Sequence, residues 1–252
     1  MDRRAFIHGV AIASVLCWVL GLVITASAWA QQSVWGRGLV MKLYSHWRSS
    51  ASYRVRIALN LKELTYKHVT LDLDKSHADQ HRPEYRRVNP QGVVPSLELD
   101  NGTVLMQSMA IIEYLEEAWP EPRLLPKRIE DRALVRALSQ MVCADMHPLH
   151  TTRLIDYLGD ALSLHQVWID RWIAHWSTLG LRAIEGLIGN DGYCVGGAIT
   201  MADVFLVPEV YAARRFKVDL EAFERIKRVE ERCNGLEAFQ LAHPLRQPDA
   251  AP

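Results

Sequence analysis

Three serines crowd one predicted helix start. Ser49, Ser50 and Ser52 lie in Ser49-Ser50-Ala51-Ser52-Tyr53-Arg54-Val55-Arg56-Ile57-Ala58, directly after a short predicted strand, Met41–Ser45. The first N–H groups of a helix have no intrahelical partner and carry the positive end of the dipole, so a serine-lined start is equipped to hold an anion. A second start of this kind is Gln107-Ser108, where Ser108 is expected as the N-cap of a helix over residues 109–119 that Pro120 and Pro122 terminate. His77/His81 and His147/His150 stand at helical spacing, but neither pair has the acid-rich or cysteine-rich setting of a metal site, and no metal is expected. The cysteines Cys17, Cys143, Cys194 and Cys233 contain no Cys-x-x-Cys pair, so they read as reduced, mostly buried thiols rather than a disulfide framework.

The elements that must position these residues follow from periodicity. Helical spacing of Val55, Ala58 and Leu59 continues the serine start as an amphipathic helix, and residues 66–71 alternate as a second strand. Strand, helix, strand implies a parallel pair joined by a right-handed crossover. Asn89-Pro90-Gln91-Gly92-Val93-Val94-Pro95 is turn chemistry leading into an alternating strand, and Asp100-Asn101-Gly102 marks a hairpin into Thr103-Val104-Leu105-Met106. The polar stretch 77–87 reads as partly helical. This order is that of a thioredoxin-like domain over residues 41–122, with a Val-Pro that commonly holds a cis proline. Residues 123–127 read as a linker. Residues 128–246 read as all-helical, with helices over 130–147, 165–188, 201–214 and 223–233. Thr200-Met201-Ala202-Asp203 is a capping-box-like start with Asp in place of Glu or Gln, and its role reads as structural.

Composition narrows the classes of function. The 252 residues carry 29 basic and 29 acidic side chains, a formal charge of zero, with 49% hydrophobic residues. That balance leaves no electrostatic footprint for nucleic acid and points to a small ligand. Residues 1–40 stand apart. Arg3-Arg4, an apolar run and Ala28-Trp29-Ala30 have the layout of a signal peptide; an uncleaved anchor and a start codon assigned too far upstream are the competing readings. Only the folded body from Met41 onward enters the functional reading, and no membrane role is expected for it.

Taken together, Ser49 to Ala58, Asn89 to Pro95 and Gln107-Ser108-Met109-Ala110-Ile111-Ile112-Glu113-Tyr114-Leu115-Glu116-Glu117 resemble zeta-class glutathione transferases, the maleylacetoacetate isomerase family, over residues 41–249. The resemblance implies a thioredoxin-like domain, a helical domain, glutathione as cofactor, a homodimer and a cytoplasmic setting, with export to the periplasm if residues 1–30 act as a signal. The implied reaction is cis-trans isomerisation of a 4-oxo-2-enoic diacid such as maleylacetoacetate or maleylpyruvate, in aromatic amino acid or aromatic acid catabolism. A general glutathione transferase and a non-catalytic glutathione-binding protein remain the alternatives.

Residue by residue, the resemblance places Ser49, with Ser50, at the glutathione sulfur. A free thiol has a pKa near 8.5, and a donated hydrogen bond at a helix start lowers it by about one unit or more, so Ser49 would act as an activator; otherwise it is only an N-cap. Ser52, Arg54, Gln80, Val94, Pro95, Gln107, Ser108 and His147 match glutathione contacts: Val94 by strand-like backbone pairing beside Pro95, and Gln107 and Ser108 through the γ-glutamyl carboxylate. Arg54 either attracts carboxylates or lies on a solvated helix face. Arg215 matches a family arginine proposed to hold a substrate carboxylate, or is a surface ion pair. Ala51 stands where the family often has cysteine, and Thr151 where asparagine is frequent, so both departures bear on substrate preference.

Overall fold

The computed structural model describes residues 41–74 and 77–250. The readings of residues 1–40, including Cys17, lie outside the described residues. From Met41 to Ala250 the chain builds a four-stranded sheet followed by helices.

The strands are β1 (Met41–Ser45), β2 (Tyr66–Thr70), β3 (Ser96–Glu98) and β4 (Val104–Met106), in the order β2-β1-β3-β4. β1 and β2 run parallel, with Leu43 opposite His68, and β3 runs antiparallel to both β1 and β4, pairing Leu97 with Leu43 and with Leu105. The predicted crossover and hairpin are both present. Helix α1 (Ser50–Leu61) follows β1, α2 (Pro83–Val88) precedes the Val94-Pro95 turn, and α3 (Ser108–Ala118) follows β4. The helical part contains α4 (Ile129–Gln140), α5 (Thr152–Asp156), α6 (Gln166–Leu187), α7 (Met201–Arg215), α8 (Glu224–Asn234) and α9 (Glu237–Ala242).

Two elements differ from expectation for identifiable reasons. The expected helix over 130–147 is regular only to Gln140, then widens into a π-helical segment, Met141–Met146, and tightens into a 3-10 turn, His147–His150. Pro148 lacks an N–H and its ring crowds the carbonyl four residues back, so the pitch must change before it. Helix α1 is not amphipathic in its setting. Every residue from Ser50 to Leu59 is buried, because α7 and α9 cover the face that the sheet and α3 leave open. Short α5 and α9 give no long periodicity to read.

The core runs from sheet to helices as one cluster, with Leu43, Val55, Ile57, Leu97, Ile111, Ile112, Val204, Phe205 and Val210 among its members. Each such aliphatic side chain contributes about 1.5–3 kcal/mol on burial. Residues 123–127 do not form a loose tether: Leu124 and Leu125 are buried and give their N–H groups to the Glu116 carboxylate, and Leu124 O accepts from Met201 N–H at 2.7 Å. No helix among the described residues is long and apolar enough to cross a membrane.

Candidate functional site

Ser49 is the N-cap of α1: its backbone is extended and its Oγ accepts the Ser52 N–H at 3.2 Å. That bond uses the oxygen as acceptor and leaves the hydroxyl proton available to a ligand, so capping and donation coexist in one side chain. Ser49 is half-buried, whereas Ser50 and Ser52 are buried. Ser52 is 0% exposed and gives its N–H to Ser49 Oγ, so it stands behind Ser49 rather than facing a ligand as the glutathione contact expected of it. Because β1 ends one turn before α1 begins, the loop from His46 to Arg48 sets the direction of Ser49, and Ser49 N–H closes it on His46 O at 3.1 Å.

The second helix start also differs in detail. The N-cap of α3 is Gln107, at φ 70°, and Ser108 is the first helical residue. A positive φ on a non-glycine residue is strained backbone of the kind that persists where the surroundings hold it. Here Gln107 O accepts from Ile111 N–H at 3.0 Å and its side-chain Nε2 donates to Gln91 Oε1 at 2.6 Å. Gln107 is exposed, and Ser108 is 4% exposed with its Oγ turned to Arg54.

Between the two starts lies the Val94-Pro95 turn, with a cis peptide bond. Within the described residues no hydrogen bond uses the Val94 N–H or C=O, although the adjacent Val93 O accepts from both Tyr85 Oη and Asn89 Nδ2. A free donor and acceptor on one residue is what strand-like pairing with a peptide ligand needs. Gln80 stands at the back of this turn. Its carbonyl lies 2.9 Å from where a Cβ on Gly92 would be, Gly92 has φ +63°, and Gln80 Oε1 is buried without a partner.

Arg54 links the starts. It is 1% exposed, so the solvated-face reading is overturned: α7 covers it. Its guanidinium donates to Ser108 Oγ at 3.4 Å and Cys143 Sγ at 3.6 Å, lies over the Phe205 ring, and stands 3.6 Å from Glu209 Oε2. Glu209 Oε1 in turn meets His150 Nε2 at 2.6 Å. Burial pushes the Cys143 thiol up despite the neighbouring guanidinium. His147, half-buried beside His150, is driven well below its ordinary value of 6.5 by desolvation and by Arg54, His150, Arg215 and Arg153 around it. It is therefore neutral. His147, His150 and Glu209 bring ligand atoms within 4.8 Å of one another, but the guanidinium already supplies the positive charge there, so the cluster is an ion-pair network rather than a cation site.

Arg215, at the end of α7, reaches back to the first start. Its Nη1 donates to Arg48 O at 3.5 Å, its guanidinium stacks on Phe216, and desolvation followed by the Arg48 charge lowers its pKa. Arg48 and Arg215 take part in no ion pair among the described residues. Arg215 thus meets the backbone one residue before Ser49, and two guanidinium groups without an ion-pair partner near that helix start suit a substrate with more than one carboxylate. Sequence reasoning reached Arg215 but missed Arg48 and Glu209. Arg48 was findable, since it directly precedes the serine cluster. The only signal for Glu209 was an acidic residue inside the apolar run from Val204 to Val210.

Comparison with known proteins bears on this geometry. Residues 43–123 match the glutathione S-transferase N-terminal domain and residues 180–237 its C-terminal domain. Maleylacetoacetate isomerase of Pseudomonas aeruginosa is 46% identical over 209 residues, covering 83% of this chain and 98% of that protein. The holo structure of a bacterial zeta-class maleylpyruvate isomerase superposes with a TM-score of 0.79 at 41% identity, covering 83% of this chain and 100% of the other. Maleylacetoacetate isomerase of Anaeromyxobacter dehalogenans, solved with dicarboxyethyl glutathione and citrate in its active site, gives 0.75 at 38% identity, covering 86% and 96%. The Ser49 helix start and the free Val94 backbone are compatible with these relatives, and at that identity and coverage the chain belongs to the maleylacetoacetate isomerase family of zeta-class glutathione transferases.

Proposed function

We propose that the protein is a glutathione-dependent cis-trans isomerase of a 4-oxo-2-enoic diacid of the maleylacetoacetate or maleylpyruvate type. The observation that carries this reading is the Ser49 hydroxyl at the start of α1, which accepts the Ser52 N–H and so keeps its own donor for a ligand, with Arg215 on the carbonyl of the adjacent Arg48. Bound glutathione would supply a thiolate that adds reversibly to the conjugated alkene, so that the former double bond turns as a single bond before the thiol leaves again.

The chain's own residues supply positioning and electrostatics rather than a covalent side chain. Ser49 donates a hydrogen bond from its hydroxyl to the sulfur and, with the dipole of α1, favours the anion. Val94 pairs its backbone with the cysteinyl part. Gln107 and Ser108 at α3 take the γ-glutamyl carboxylate, and buried Arg54, itself paired with Glu209, holds Ser108 Oγ from behind. Gln80 and the Pro95 turn shape the wall, and neutral His147 offers ring nitrogens from the helical side. Arg48 and Arg215 take the substrate carboxylates, one from the turn and one from α7. The bound dicarboxyethyl glutathione in the Anaeromyxobacter relative supports a thioether between the cofactor and a diacid in such a site.

A cytoplasmic setting fits the need for reduced glutathione, which the periplasmic alternative would lack, and a homodimer and a place in aromatic acid catabolism belong to the same proposal. The test is an ultraviolet assay of a cis 4-oxo-2-enoic diacid with and without glutathione, beside Ser49→Ala. Conversion to the trans product only with glutathione, and much slower in the variant, supports the isomerase. Glutathione consumption with haloacids or chloroarenes but no isomerisation would mark a general transferase, and no turnover at all a binding protein.

A further inference from the structure

The turn that carries Arg48 and Ser49 is held from the far end of the chain. Asp249 Oδ2 accepts the Trp47 N–H at 2.8 Å, across 202 residues of sequence. The next polar group, Trp47 O, accepts from Arg56 Nη2 at 3.0 Å, so both faces of one residue are fixed. Arg56 also donates to Ser45 Oγ and to Ala242 O, each at 3.0 Å, and to His46 O at 3.4 Å. The tail bearing Asp249 is itself anchored: Gln247 Nε2 donates to Leu241 O at 2.9 Å and His243 O at 3.0 Å. Asp249 Oδ1 lies 3.3 Å from His68 Nε2 on β2.

A loop end normally takes the direction its own residues allow. Here the residue immediately before Arg48, and two before Ser49, has its N–H on a carboxylate and its C=O on a guanidinium, both on buried or nearly buried side chains. Charge-assisted bonds of this kind are roughly twice as strong as neutral ones and set geometry as well as energy. We propose that Asp249 is a positioning residue of the active site: with Arg56 it clasps Trp47 and so fixes where the Ser49 hydroxyl and the Arg48 guanidinium point. The segment around Asp249 then serves the site by holding the turn, through Trp47, rather than by contact of its own with the reacting groups.

This inference rests on the reading of Ser49 as thiolate donor and Arg48 as carboxylate ligand, and its test separates the two. In the full chain, wild type is compared with Asp249→Ala, Asp249→Asn and His68→Gln by four measurements. These are amide hydrogen exchange of residues 45–50 without ligand, ultraviolet titration of the bound glutathione thiol, kcat and KM for the cis diacid, and Tm. Asp249→Ala should speed exchange at Trp47, raise the bound-thiol pKa and lower kcat/KM about tenfold to a hundredfold, the scale of a roughly 1 Å misplacement. Asp249→Asn, which keeps an acceptor oxygen for Trp47, should recover most of this, and His68→Gln, which leaves the Trp47 bond intact, should stay near wild type in thiol pKa. A lower Tm for Asp249→Ala with unchanged thiol pKa and kcat/KM would overturn the proposal and leave Asp249 a tail anchor. Should Asp249→Ala fail to fold, the decision falls to Asp249→Asn against His68→Gln: an equal loss in both would place the effect in the His68 contact and overturn the clasp. Absence of thiolate in the wild type would instead overturn the reading of Ser49, a distinct result.

Discussion

Ser49 carries two roles whose losses are separable. Ser49→Ala removes an N-cap, worth about 1 kcal/mol, which for a protein of this size lowers Tm by about 2–4 °C in calorimetry. It also removes one donor to the sulfur, and kcat should fall by about a hundredfold to a thousandfold, the scale seen when one preorganised donor is lost. Arg215→Ala and Arg48→Ala are expected to raise KM for the diacid while leaving glutathione affinity near wild type in calorimetric titration; a fall in glutathione affinity would move these arginines to the cofactor. The Ser49 cap and the turn into Pro95 were legible because turn and cap chemistry is written in neighbouring residues. The burial of Arg54 and its pairing with Glu209 were not, since α7 begins about 150 residues after α1 and no local pattern announces the contact. The Gln107 cap was misplaced by one residue because serine is the better cap by propensity, whereas the fold holds Gln107 in a conformation that propensity disfavours.

The elements divide into those set by their own pattern and those set by what covers them. The sheet and hairpin belong to the first kind, because alternation and the Asp100-Asn101-Gly102 turn determine register locally. Helix α1 belongs to the second. Helix α7 combines both, since its capping box was readable from Thr200 and Asp203, but Asp203 Oδ1 also accepts the Cys194 N–H at 2.7 Å, a bond that ties the preceding loop to the helix. Asp203→Ala would leave the Thr200 and Cys194 N–H groups buried without partners, and stability should fall by about 3 kcal/mol or more in urea unfolding, because each orphaned donor costs about 1–3 kcal/mol. Among the described residues the Asp203 carboxylate hydrogen-bonds only to Cys194 and Thr200 and to no residue of the candidate site, so the folded fraction should keep its kcat.

At the scale of the whole molecule, the buried histidines set an acid limit. His46, His68, His147 and His243 are each lowered from the ordinary 6.5, with desolvation the largest cause in every case. The unfolded chain therefore binds protons below about pH 6.5 that the folded chain refuses, so stability is full above that pH and declines as pH falls toward the folded values. Tm should drop between pH 7 and pH 5, and His147→Gln should flatten that slope; an unchanged slope would place the burden on the other three. A different consequence follows from the clasp between Trp47 and Asp249. During synthesis the ribosome delivers β1, both helix starts and the Val94-Pro95 turn long before Asp249, which lies 202 residues after Trp47, so the turn before Ser49 is fastened only once Asp249 has emerged. A product that ended before Asp249 would present the serine cluster without the carboxylate that holds the Trp47 N–H and, on the proposal above, without an aligned hydroxyl.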